Sequence, residues 1–237
     1  TMNTGRLLFP KLAKYTLDRL AKVLKLPEFN HHRAVDDAEE TALIYQRFID
    51  MLVKMDITNV DELHNRTIDA PEIIRKKPMY HIIILAANEI GRTNLYRLVS
   101  YSHLKYYARR PRIPRSLIEE YREGLIIGSA CEAGELYKAV LHKEEERIKR
   151  LCDFYDYYEI QPIGNNFFMI ESEKYPQINN NEDLRRINRE IVKLGEKYNK
   201  LVVATCDVHF MDPEDAIYRE IVQAGQGMGD EVQPPLY

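Results

Sequence analysis

No stretch of this 237-residue chain stays apolar for long enough to span a bilayer, because charged or polar side chains interrupt every run. No charged, apolar, small-residue leader precedes a cleavage site, which argues against secretion. Cysteine is scarce: Cys131, Cys152 and Cys206 form no close pair, which points to a reducing, cytoplasmic setting rather than a disulfide framework. Positive charge is not in excess either. With 34 Lys and Arg against 37 Asp and Glu, the net charge of −3 gives no global attraction to nucleic acid, so a DNA contact would need a local patch. There is no internal repeat and no low-complexity tract. The first residue is Thr1, so the reading frame is expected to open upstream, or at Met2 behind one extra residue.

What is present is ordinary for a globular protein: 45% hydrophobic and 30% charged residues, in a length that holds one or two domains. Tyr15 to Lys25 reads as a helix with Leu17, Leu20 and Leu24 on one side. Val35, Ala38, Ala42, Tyr45, Ile49 and Leu52 recur at steps of three and four and predict a second helix with that stripe buried. Residues 54 to 79 are polar and mixed, with Pro71 and Pro78 near the end, and read as a connector.

Beyond Pro78 the texture changes. His81 to Ala86, Gly124 to Ser129, Tyr157 to Ile160 and Leu201 to Cys206 are apolar strand candidates. Helices are expected at Asn94 to Leu104, near Glu135 to His142, and after Asn179-Asn180-Asn181, where Leu184, Ile187, Ile191, Leu194 and Tyr198 turn inward. Apolar strands alternating with amphipathic helices imply parallel pairing with both sheet faces covered. A closed α/β barrel has about eight such units, and roughly half are here.

Two short patterns carry chemistry. Asp207-Val208-His209 closes the last apolar run, and side chains two apart in a strand share a face. They stand at a strand's carboxyl end, where α/β barrels place catalytic groups, and a carboxylate beside an imidazole suits a divalent metal and water-driven attack on phosphorus. The same residues also suit an Asp capping a turn and a His bonded to backbone. Two ligands do not close a site, so others must come from neighbouring strand ends. Cys131 ends the second strand and could supply a thiolate, although a buried free cysteine is the commoner case. His81 opens the first strand; parallel pairing would put it on the opposite rim. The second pattern is His32-Arg33-Ala34-Val35-Asp36-Asp37 at a helix start. Both ends could address one phosphate there, yet acids at a helix N-terminus also answer to the macrodipole alone. Lys105-Tyr106-Tyr107-Ala108-Arg109-Arg110-Pro111-Arg112 is basic and aromatic, suited to a phosphate backbone, though a solvated helix end is the commoner source of such a pattern.

Together these segments resemble one family, the PolC-type DNA polymerase III alpha subunit, a bacterial replicative polymerase. Thr4 to Phe48 looks like the end of its inserted proofreading exonuclease, and His32 to Asp37 matches the His-x-Ala-x-x-Asp motif of the DEDDh class. Residues 80 to 237 resemble the second part of its PHP (polymerase and histidinol phosphatase) domain through His81 to Asn88, Gly124 to Cys131 and Ala204 to Phe210. The resemblance implies a partial PHP barrel, a distorted TIM-like β/α architecture, preceded by the last helices of a ribonuclease H-like exonuclease. The division it implies is 1–54 exonuclease, 55–79 connector and 80–237 PHP. His32 would be the general base and Asp37 a ligand for Mg²⁺ or Mn²⁺. His81, Cys131, Asp207 and His209 would hold Zn²⁺, Mn²⁺ or Fe in the PHP site. The implied partners are primer-template DNA and dNTPs, with a sliding clamp and other replisome subunits and no membrane. The exonuclease's Asp-x-Glu motif, its second-motif Asp and the PHP domain's leading His-x-His are not in this sequence, so no activity is expected of the chain alone. A PHP phosphoesterase and a non-catalytic, metal-stabilised scaffold are the alternatives.

Overall fold

The computed structural model describes residues 2–27 and 33–225. They divide into two compact units, Thr1–Met79 with Tyr96–Arg122, and Tyr80–Leu95 with the chain from Glu123 onward.

The first unit opens with α1 (Met2–Leu8), α2 (Leu17–Val23) and α3 (Ala34–Val53). Its core gathers Leu20 and Ala21 of α2 with Ile44 and Phe48 of α3, flanked by Leu8, Phe9, Leu12 and Tyr15. The predicted stripe on α3 is therefore rotated. The buried row is Glu40, Ile44, Phe48 and Leu52, while Val35, Tyr45 and Ile49 are exposed. Two apolar rows run along this helix, and α1 and α2 lie against only one of them.

The stretch read as a connector holds α4 (Val60–Ile68) and α5 (Pro71–Ile74). Asn59 caps α4 by accepting from the Glu62 N–H at 2.8 Å, and Glu62 reaches back to the Thr58 N–H at 2.7 Å. Ile57, Ile73 and Ile74 are buried. Arg112 closes the end of α5, its guanidinium donating to the carbonyls of Ile74 and Lys77 at 3.3 and 2.6 Å.

The second unit is built on a four-stranded sheet in the order β1 (Ile83–Ala86), β2 (Leu125–Gly128), β3 (Tyr157–Ile160), β4 (Leu201–Ala204). Strands β2, β3 and β4 are parallel, as the alternation implies, but β1 runs antiparallel to β2, with Ile83 opposite Gly128 and Ala86 opposite Leu125. The connection explains it. Residues 87–124, with α6 (Glu89–Leu104) and α7 (Arg115–Glu120), leave and rejoin the sheet at one point. There Ala87 N–H donates to the Gly124 carbonyl at 2.9 Å and the Asn94 amide donates to the Glu123 carbonyl at 3.0 Å. Gly124 has φ +74, and a Cβ on it would fall 2.5 Å from the Gly91 nitrogen, so the return turn needs glycine on both counts. An excursion that returns to its origin re-enters like a wide hairpin.

The remaining elements are α8 (Glu135–Leu141), α9 (Glu145–Phe154), a 3₁₀ segment Ile163–Met169, α10 (Asn181–Tyr198), a 3₁₀ turn Pro213–Asp215 and α11 (Ala216–Gly225). Ile127 and Tyr158 are fully buried on one sheet face, where Tyr158 donates to the Cys152 carbonyl of α9 and α10 packs on β3 and β4. The other face is open: Ile83, Leu85, Ile126 and Leu201 are exposed, so the two covered faces expected from apolar strands reduce to one. Among the described residues no helix is long and apolar enough to cross a membrane.

Candidate metal centre

Strands β2, β3 and β4 end on the same rim of the sheet, and each end is followed by polar groups. After β2, Ala130 turns at φ +60 and Cys131 follows. After β4, Asp207 itself sits at φ +54. Left-handed backbone at a residue with a Cβ costs on the order of 1 kcal/mol or more and is retained where surrounding structure imposes it, often at functional sites.

Because β1 is antiparallel, its beginning, not its end, lies on this rim. His81 is therefore brought to Cys131. The His81 N–H donates to the Ala133 carbonyl at 3.1 Å, His81 bridges Gly134, and Nδ1 of His81 lies 3.3 Å from Sγ of Cys131. The placement that parallel pairing made awkward follows directly from the antiparallel one. Burial first, then the Glu132 carboxylate, push the Cys131 thiol up to about 12, and Asp207 adds to the rise. The thiol keeps its proton near neutrality, and the tautomer of His81 sets which partner donates across the Cys131–His81 contact.

In the second pair, Nδ1 of His209 lies 2.6 Å from the Asp207 carbonyl oxygen and 3.9 Å from its Oδ1. A carbonyl only accepts, so Nδ1 carries the proton and Nε2 presents its lone pair. Both side chains are about half exposed.

Two residues on this rim escaped the reading of the sequence. Glu159 is buried within β3; its carboxylate accepts from Thr205 at 3.0 Å and Tyr157 at 3.3 Å, and its N–H donates to Ser129 Oγ at 2.9 Å. It ties the ends of β2, β3 and β4 together. Asn165 donates its amide to the Cys206 carbonyl at 2.7 Å, holding the backbone just before Asp207. A single carboxylate inside the run Tyr157-Tyr158-Glu159-Ile160 was the available signal for the first; Asn165 gave none.

The donor types (a thiol, two imidazoles and a carboxylate) fit a divalent transition metal. They form two pairs rather than a closed shell: among the described residues no three His, Cys, Asp or Glu side chains converge as a group able to hold a metal ion. At the other candidate site, Asp37 lies in the first turn of α3, half-buried, its N–H donating to the Arg33 carbonyl at 2.9 Å. His32, its expected companion, lies outside the described residues.

Comparison with known proteins matches residues 1–45 to the Exonuclease family model and residues 35–173 to the PHP domain model. DNA polymerase III PolC-type of Clostridium perfringens is 52% identical over 100% of this chain and 16% of its own length. The protein of the same name from Caldanaerobacter subterraneus subsp. tengcongensis is 46% identical over 100% of the chain and 17% of its own length, and that of Bacillus subtilis 40% over 96% and 16%. The chain thus spans about a sixth of the curated relatives it matches. With the PHP domain model matching residues 35–173 of 237, the chain belongs to the PHP domain family.

Proposed function

We propose that the chain is a section of a cytoplasmic bacterial replicative DNA polymerase of the PolC type, which joins dNTPs on a primer-template and proofreads 3′ to 5′. The observation that carries this reading is order: an exonuclease match over residues 1–45 runs into an overlapping PHP match over residues 35–173, inside a likeness to PolC-type polymerases that covers the whole of this chain. Residues 1–54 then end the exonuclease, 55–79 connect, and 80–237 form the second part of the PHP domain. His32 serves as general base and Asp37 as a ligand for Mg²⁺ or Mn²⁺. His81, Cys131, Asp207 and His209 supply part of a PHP site for Zn²⁺, Mn²⁺ or Fe. A sliding clamp and other replisome subunits are the protein partners.

A bound divalent cation supplies charge stabilisation at phosphorus and a more acidic water. The chain's own contribution is orientation. The Asp207 carbonyl selects the His209 tautomer, the antiparallel β1 brings His81 to Cys131, and Glu159 holds the strand ends in register. A scaffold role for the PHP portion is favoured over a free-standing phosphoesterase because its donors stand as two pairs among the described residues. In that role metal binding contributes folding free energy.

One experiment tests both parts. The complete polymerase is prepared with Asp37→Ala and, separately, with Asp207→Ala, and mismatch excision, nucleotide incorporation and bound-metal stoichiometry are measured. Asp37→Ala should abolish excision and spare incorporation; retained excision would overturn the exonuclease assignment. Asp207→Ala should spare excision and lower metal content; unchanged stoichiometry would overturn the ligand assignment.

A further inference from the structure

From Ile90 to Ile118 the chain has seven Lys and Arg and no Asp or Glu, although acids outnumber bases by 37 to 34 overall. Five of the seven are engaged within the protein. Arg92 pairs with Glu89, Arg97 lies 5.7 Å from the centre of the Tyr121 ring, Lys105 Nζ lies 5.3 Å from the centre of the Tyr106 ring, Arg112 closes α5, and Arg115 has a partner of its own. Arg109 and Arg110 are different. Both are exposed, and neither guanidinium has an ion-pair or hydrogen-bond partner among the described residues. They stand on a tight turn in which Arg109 has φ +64, Ala108 N–H donates to the Arg110 carbonyl at 3.1 Å, and the Tyr107 hydroxyl donates to the Arg109 carbonyl at 3.0 Å. Lys105 lies just before this turn.

Beside these cations are exposed rings. His103 and Tyr107 are stacked, centroids 6.0 Å apart and planes 22° from parallel. Tyr96, 61% exposed, sits seven residues before His103 on α6 and therefore on nearly the same helix face. Unpaired guanidiniums next to open aromatic faces are the two components of single-strand recognition: cations follow phosphates and rings stack on bases. A duplex hides its base faces, and an acidic polypeptide would use the charges but not the rings.

We infer that the end of α6 and the turn at 107–110 form a contact surface for a single-stranded nucleic acid, with phosphates on Arg109, Arg110 and Lys105 and bases on Tyr107 and His103. This surface uses none of the proposed metal ligands, so either reading stands if the other fails.

The test is fluorescence anisotropy of a labelled oligo-dT strand titrated with the 237-residue chain across a salt series. Duplex DNA and polyglutamate serve as competitors, and far-UV circular dichroism confirms folding of each variant. The double variant Arg109→Ala/Arg110→Ala should bind about tenfold more weakly and lower the slope of log affinity on log salt by about 1.4, two phosphate contacts at roughly 0.7 each. Tyr107→Leu should weaken binding about tenfold by removing a stacking face. No anisotropy change for the parent chain, unchanged affinity in the double variant, or unchanged affinity for Tyr107→Leu would each overturn the inference. So would polyglutamate or duplex competing as well as the single strand.

Discussion

The two faces of the second unit's sheet are made of the same kinds of residue and have opposite fates. On one face Ile127 and Tyr158 are fully buried beneath helices. On the other, Leu85 is 47% and Leu201 68% exposed, although both are as apolar as anything beneath the helices. The buried face is spent on folding. The open face and its rim carry His81, Glu159, Thr205 and Asp207. In a section of a barrel, the face turned toward the missing strands is where apolar residues and unclosed donors would both be left, and the open face has this character. Composition therefore does not distinguish core from interior lining here; only the packing partner does.

The largest expected effect comes from breaking the buried face. Ile127→Ala removes a fully buried side chain and leaves a cavity, and should lower unfolding stability by about 3 kcal/mol in a urea titration. Leu85→Ala, a comparable truncation on the open face of the adjacent strand, should change it by no more than about 0.5 kcal/mol. A loss near 2 kcal/mol at Leu85 would mean that this face is covered in solution and that the contrast between the faces is false.

The same contrast explains what could be read in advance. The four strands were legible because their apolar runs are short and bounded. The strand geometry assumed for Asp207-Val208-His209 does not hold: β4 ends at Ala204, Asp207 turns at φ +54, and His209 Nδ1 meets the Asp207 backbone carbonyl, the backbone-bonded arrangement that the same residues also suited. The position of His81 beside Cys131 was not legible, because the direction of β1 is decided by where the excursion 87–124 rejoins the sheet, at Ala87 and Gly124, and not by anything in the strand itself. The α3 stripe failed for a related reason: two apolar rows were present, and periodicity cannot say which one meets α1 and α2. Helix α4 was readable but unread, since Asn59-x-x-Glu62 is a capping signature. Glu159 is a lone acid in an apolar strand, a signal that gains meaning only once Ser129 and Thr205 are brought beside it.

Adjacent tyrosines on β3 give a matched pair for a smaller effect. Tyr158 donates at 3.1 Å to the Cys152 carbonyl with both residues buried; Tyr157 reaches Glu159 at 3.3 Å from the half-exposed side. Tyr158→Phe leaves a buried carbonyl without its donor and should cost about 1–2 kcal/mol. Tyr157→Phe should cost about 0.5 kcal/mol or less, since water replaces the lost bond. Equal losses would remove the distinction at this level even if the isoleucine and leucine truncations preserved it.

The smallest effect is an alkaline one, and it sharpens the same pair. Burial raises the Tyr158 hydroxyl far above its ordinary value, with its bond at Cys152 adding to the rise. Burial and then the Glu159 carboxylate push Tyr157 up to about 12. A group with a raised folded pKa contributes stability that is complete below its unfolded value, about 10 for tyrosine, and is lost as pH climbs through the folded value. Unfolding stability should therefore fall with rising pH from about 10 toward 12, because the unfolded chain releases protons that the folded chain holds. Tyr158→Phe should flatten that fall, and Tyr157→Phe should flatten it less, because solvent screens the more exposed group. Stability measured at pH 9, 10 and 11 for the parent and both variants decides it. A fall that is steeper in Tyr158→Phe than in Tyr157→Phe would mean that the buried hydroxyl ionises in the folded state, which a tyrosine sealed beneath α9 and α10 cannot readily do.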